Sequence, residues 1–204
     1  MASYKPSAAE VKALREKTGA GMMDVRDALE EAEGDEAKAI EVLRKKGAAS
    51  AAKRGGRSTQ EGIIESYIHA DSRRGALVEV LCETDFVARN EDFKEFARQV
   101  AIHITAMSPE HVSFEDIPED DVANERRILE ENARAGGKPD NVVEQIVEGQ
   151  LRKWASDLAL LDQKHFNEER YQGKTIEDLR TEVAAKTGEN LRIARFARFE
   201  VGQE

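Results

Sequence analysis

The 204 residues include one cysteine, Cys82, so the chain can close no internal disulfide and cannot build a zinc site from cysteines alone. A reducing compartment fits that scarcity. Nothing approaches the roughly 18 consecutive apolar residues of a membrane span, and Met1 to Val11 has no apolar core of the kind a secretory leader carries. The expected address is the cytoplasm, with no membrane partner. Fourteen glycines and four prolines are too few for a collagen-like or low-complexity chain. Basic residues are in the minority, 31 against 41 acidic ones. The net charge of -10 repels phosphate backbones over most of the surface, so direct nucleic-acid binding is not expected. The remainder, 35% charged and 40% hydrophobic, describes a helix-rich globular protein with room for one ordinary domain and a small module.

Catalytic constellations are missing as well. His69, His103, His111 and His165 lie far apart, and none pairs with another ligand type at a metal-binding spacing, so no metal site is expected. Cys82 falls on an apolar stretch, where it reads as a small buried hydrophobe rather than a nucleophile. No GxSxG occurs. Gly173-Lys174-Thr175 has the ending of a phosphate-binding loop, but position 168, where its first glycine belongs, is Glu168, and no apolar strand precedes it. A loop feeding a helix capped by Thr175 is the simpler reading. Neither covalent chemistry nor a cofactor is expected.

Residues 1–47 spell three short helices. Ser7 and Glu10 form a capping-box pair ahead of Val11 and Leu14, and the run stops at Gly19. Val25, Ala28, Leu29 and Ala32 recur at helical spacing to Gly34, and Asp35 opens a third helix through Ala39, Ile40 and Leu43 to Gly47. Residues 48–61, with a net charge of +2 and Gly55-Gly56 at their centre, read as a linker that begins as a helical extension and can span about 45 Å when extended. Beyond Gly62 the period changes to two. Residues 63–70 and 76–82 form an antiparallel hairpin across DSRRG, and 190–201 a third strand whose alternation slips at Arg195, as a bulge would make it. Glu91 to Met107 sets Phe93, Phe96, Ala97, Val100, Ala101 and Ile104 on one helical face. A helical hairpin is expected at about 118–161, turning at GGKP, with an acidic first arm: residues 108–135 hold nine acids and three arginines. The fold class is therefore α+β: a three-helix module, a linker, and a core at 62–204 in which helices and a helical hairpin pack a small antiparallel sheet.

Cys82-Glu83-Thr84-Asp85-Phe86-Val87-Ala88-Arg89-Asn90 lies between the second strand and the amphipathic helix. Local physics leaves two readings open. Phe86 can be tucked under the core of an ordinary strand-to-helix loop. Alternatively, Asp85 and Phe86 form a protruding acidic-aromatic wedge, held by rigid flanks and suited to prying into another protein.

Four blocks settle the matter by resemblance: VKALREKTGAGMMDVRDALEEAEGD, LVEVLCETDFVARNEDF, GKPDNVVEQIVEGQL and RFARFEVG, in this order along essentially the whole chain. Together they resemble the elongation factor Ts family, the nucleotide exchange factors of the GTPase elongation factor Tu. The resemblance implies a ubiquitin-associated-like N-terminal module and an exchange function on GDP-bound elongation factor Tu, with tight binding to its nucleotide-free form. It implies that Thr84, Asp85, Phe86 and Val87 intrude near the magnesium side of the partner's nucleotide site, and that Arg15, Met22 and Met23 grip the same GTPase domain. A single core unit matches the short form of the family, so a homodimer is expected. The rival is an adaptor whose three-helix module binds a ubiquitin-like or peptide ligand without exchange activity. Departures from the family pattern are Leu81, where Asn is usual, and the polar stretch 162–173, including His165 next to Phe166.

Overall fold

The computed structural model describes residues 4–136 and 139–203. Its order is α1 (Ala8–Thr18), α2 (Met22–Glu31), α3 (Glu36–Arg54), β1 (Glu61–Ile68), β2 (Arg74–Cys82), α4 (Asp85–Ala88), α5 (Glu91–Met107), α6 (Glu119–Ala135), α7 (Asp140–Leu158), α8 (Glu168–Tyr171), α9 (Ile176–Thr187) and β3 (Arg192–Glu200). The strands form one sheet in the order β1-β2-β3, and the architecture is α+β.

Packing divides the chain into two compact units. One takes the residues up to Glu65 with Glu79–Arg98 and Asp178–Ala194; the other takes Ser66–Val78, Gln99–Glu177 and the residues from Arg195 on.

In the first unit the capping box forms. The Ser7 hydroxyl accepts from the Glu10 N–H at 3.3 Å, and the Glu10 carboxylate accepts from the Ser7 N–H at 2.7 Å. Hydrogen bonds from Tyr4 and Ser7 hold the Glu10 carboxyl down to about 2. α1 ends at Gly19 in the left-handed conformation, and α1 to α3 close over Val11, Leu14, Val25, Ala28, Leu29, Ala32, Ala39 and Leu43. This small core is supplemented by contacts with α9. Arg44 reaches Asp178 at 3.0 Å, and a side-chain carbon at Gly47 would lie 3.4 Å from the Thr181 methyl, so α3 passes close to α9 where it carries no side chain.

α3 does not stop at Gly47. It runs to Arg54 through AASAA, a segment of good helix formers, and breaks before Gly55-Gly56. The first seven residues of the expected linker are therefore helical.

In the second unit, α6 and α7 pair through Ala133, Val143, Val147 and Leu129, with Arg126 meeting Glu148 at 2.6 Å. The buried stripe of α7 runs Val143, Val147, Leu151, Ala155, while Trp154 and Leu158 are only half-buried. The expected GGKP turn includes Gly137 and Lys138, which lie outside the described residues. β1 and β2 each start two residues earlier than their periodicity suggests and β3 two later; for β2 the hairpin closes with the His69 N–H donating to the Arg74 carbonyl at 2.9 Å. Along β3 the phase breaks between Ile193, which is buried, and half-buried Ala194, next to the expected position, and accessibility then alternates regularly to Glu200. Beyond the break Phe196 and Phe199 lie on opposite faces, with Phe199 exposed.

The polar stretch 162–173 is folded down. The His165 N–H donates to the Lys174 carbonyl and the Ile176 N–H to the Gln163 carbonyl, at 2.9 and 3.1 Å. His165 is fully buried beside His103, their ring centroids 5.6 Å apart. His103 Nδ1 accepts from the Phe166 N–H, leaving the proton on Nε2 for Gln163 Oε1 at 2.8 Å. His165 Nδ1 accepts from the Asn167 N–H, so its proton also sits on Nε2. Burial holds both imidazoles down to about 4, and the proximity of His103 adds to the effect at His165.

Candidate partner-binding site

β2 delivers its last residue, Cys82, into the core, where its thiol donates to the Thr84 carbonyl at 3.2 Å. Burial, followed by the Glu189 charge, pushes this thiol up to about 11, so it is inert at neutral pH. The chain then turns through Glu83 and Thr84. Thr84 is extended and caps α4, its hydroxyl accepting the Val87 N–H. The same hydroxyl donates to Glu189 Oε1 at 2.6 Å, while Glu189 Oε2 accepts the N–H groups of Glu83 and Thr84 at 3.0 and 3.1 Å.

The segment expected as a loop is thus a single helical turn. At about 100° per residue, burying its last two members leaves the first two facing outward. Val87 is 9% exposed and Ala88 is buried, whereas Phe86 is 80% exposed. Asp85 is half-buried and pairs with Arg89, one turn on, at 3.0 Å. Downstream, Asn90 Oδ1 accepts from the Asp92 and Phe93 N–H groups and starts α5. Phe86 therefore stands out from a turn fixed at both ends.

Of the four residues singled out in this segment, the structure places Phe86 and Thr84 at the surface, Asp85 at its edge and Val87 inside. Arg15, Met22 and Met23 are exposed in the same compact unit, on α1 and on the first turn of α2; the methionines are 58% and 57% accessible. Among the described residues no group of three or more His, Cys, Asp or Glu is arranged to hold a metal ion, and no helix is long and apolar enough to cross a membrane.

Sequence reading missed the supports of the turn. Glu83 Oε1 accepts the Asn190 N–H at 2.6 Å and meets Arg57 at 3.4 Å. The buried Asn190 amide donates to the Gly55 and Arg57 carbonyls at 3.4 and 3.1 Å. The local signal was faint: two polar residues wedged between a helix-ending Gly188 and an apolar strand start.

N-terminal helices, a small three-stranded sheet with packed helices, and this anchored turn define the class of α+β protein at hand. A family model described as elongation factor TS matches residues 9–172. The elongation factor Ts of Carboxydothermus hydrogenoformans is 53% identical over 193 residues, 95% of this chain and 88% of the relative. That of Thermosipho melanesiensis is 50% identical over 198 residues, 97% of this chain and 99% of the relative. That of Moorella thermoacetica is 49% identical over 197 residues, 97% and 96% respectively. The chain belongs to the elongation factor Ts family of translation elongation factors.

Proposed function

We propose that the chain is a guanine nucleotide exchange factor, which binds elongation factor Tu in its GDP form and promotes GDP release so that GTP can bind. The observation that supports it best is Phe86, a large aromatic ring held 80% exposed on a turn anchored at both ends. Full burial of such a ring is worth about 1.5–3 kcal/mol, a gain left for a partner. In this reading Asp85 and Phe86 enter the GTPase domain on the magnesium side of the nucleotide, with Thr84 and Val87 shaping the turn, while Arg15, Met22 and Met23 hold the same domain. Methionine suits that task, being unbranched and polarisable.

The work is non-covalent and needs no cofactor. A factor that binds the nucleotide-free GTPase more tightly than the GDP complex must weaken GDP by the same ratio. Loosening the magnesium uncovers repulsion at the phosphates, and each 1.4 kcal/mol taken from the release barrier gives about tenfold in rate. The chain acts in the cytoplasm as a homodimer, for which Ile68, Leu77, Phe199 and Val201, exposed apolar residues of the strand region, supply a surface.

The test is release of a fluorescent GDP analogue from elongation factor Tu with magnesium present. Acceleration by the unmodified chain that is lost in Phe86→Ala supports the reading. No acceleration removes it and favours the adaptor, in which the three-helix module binds a ubiquitin-like or peptide ligand.

A further inference from the structure

The turn that carries Phe86 is tied to a part of the chain more than a hundred residues away. Thr84 uses its N–H and its O–H on one carboxylate, that of Glu189, and its C=O on the Cys82 thiol. Glu189 also takes the Glu83 N–H. Bonds to a carboxylate are charge-assisted and stronger than neutral ones, and the one from the Thr84 hydroxyl, at 2.6 Å, is also short. By donating its proton to Glu189, the Thr84 hydroxyl is left with free lone pairs directed at the Val87 N–H, so the carboxylate also orients the cap. Next to it, Asn190 donates its N–H to Glu83 and its amide to the backbone just beyond α3. The end of the N-terminal helices, the α9-β3 connection and the root of the turn meet in one polar network within one compact unit.

We propose that Glu189 is a positioning residue for nucleotide exchange: through Thr84 it fixes the angle at which Phe86 leaves the surface. The proposal rests on the exchange reading above. Without the carboxylate, the first two N–H groups of the turn and the Thr84 hydroxyl lose their common acceptor, and Phe86 samples directions that do not enter the partner. The energy of docking is then spent on ordering the turn, and the maximal rate falls. Arg15, Met22 and Met23 lie outside the network, so initial binding persists.

The experiment uses the full chain and fluorescent GDP release from the same GTPase. Chain concentration is varied to give a maximal rate and a half-saturating concentration, at a temperature well below each variant's melting midpoint. Glu189→Ala should lower the maximal rate at least about tenfold while moving half-saturation less than about threefold. Glu189→Gln, whose amide oxygen still accepts from backbone N–H groups, should keep about a third or more of the rate. In a Phe86→Ala background Glu189→Ala should cost nothing further, because the carboxylate acts through that ring. A wild-type maximal rate in Glu189→Ala, or a full additional loss in the double variant, overturns the proposal. If Glu189→Ala does not fold, Glu189→Gln and Thr84→Val carry the test: a lowered maximal rate in Thr84→Val with partial retention in Glu189→Gln supports it, and wild-type rates in both overturn it. An unmodified chain that accelerates nothing removes the exchange reading and this one together, a result distinct from a working chain indifferent to Glu189.

Discussion

α4 and α8 are built alike and do opposite things with their aromatic residue. Each is a four-residue turn capped by a side chain, Thr84 in one and Asn167 in the other. In α8 the aromatic residue comes last: Tyr171 is half-buried with its ring 4.0 Å from that of His165, and the chain reverses through left-handed Gln172. In α4 it comes second, and the inward positions go to Val87 and Ala88, whose small side chains satisfy the core without it. A one-turn helix therefore dictates nothing about exposure. Placement within the turn decides whether a ring belongs to the fold or stays available to a partner.

The sharpest way to break this contrast is to truncate both rings. Phe86→Ala should slow stimulated GDP release roughly a hundredfold, about 3 kcal/mol, as expected for a central aromatic anchor. It should leave stability within about 0.5 kcal/mol, since little of the ring is packed; fluorescence kinetics and thermal melts read the two numbers. Equal losses in both would make Phe86 a structural residue like Tyr171.

Acid should separate the two turns next. The folded-state values of His103 and His165, about 4, lie below the ordinary 6.5 of the unfolded chain, so unfolding takes up protons between those limits. The stability they confer is complete above about pH 6.5 and declines towards pH 4, by about 2–3 kcal/mol for such a shift. Melting curves at pH 7.5, 5.5 and 4.5 should show it. His165→Phe should make the dependence shallower, whereas Thr84→Ser should leave it unchanged.

Smaller effects come from the α8 side alone. Tyr171→Ala should cost about 1–3 kcal/mol in chemical denaturation without lowering the maximal exchange rate. Asn167→Ala removes only the cap, whose carbonyl accepts the Arg170 N–H at 3.0 Å, and should cost about 1 kcal/mol with exchange again intact.

Periodicity made the larger elements readable. Val11, Leu14, Val25 and Leu29 spell the N-terminal core, and Phe93 to Ile104 spell the face of α5, because side chains three and four apart share one surface. The Thr84–Val87 segment stood out by composition and became a candidate through the resemblance of the four blocks. Its helical turn was not legible, since four residues are too few to show a period. The turn's supports were hidden for a different reason. Thr84 and Glu189 are 105 residues apart, and His103 and Gln163 are 60 apart. Such pairs leave no mark in any local window. Val87 shows the same limit from the other side: the resemblance grouped it with Phe86, and only the turn's rotation separates the two.

The seclusion of Cys82 makes the protein convenient to instrument. Its thiol is fully buried and pushed up to about 11, so the sulfur is hidden from reagents and stays protonated at neutral pH. A maleimide dye added under mild conditions will therefore pass over the native sulfur and attach to a cysteine placed by design. Phe199→Cys on β3 and Met23→Cys on α2 offer two separate attachment points. A fluorescent probe at either one can be attached without first removing the natural thiol.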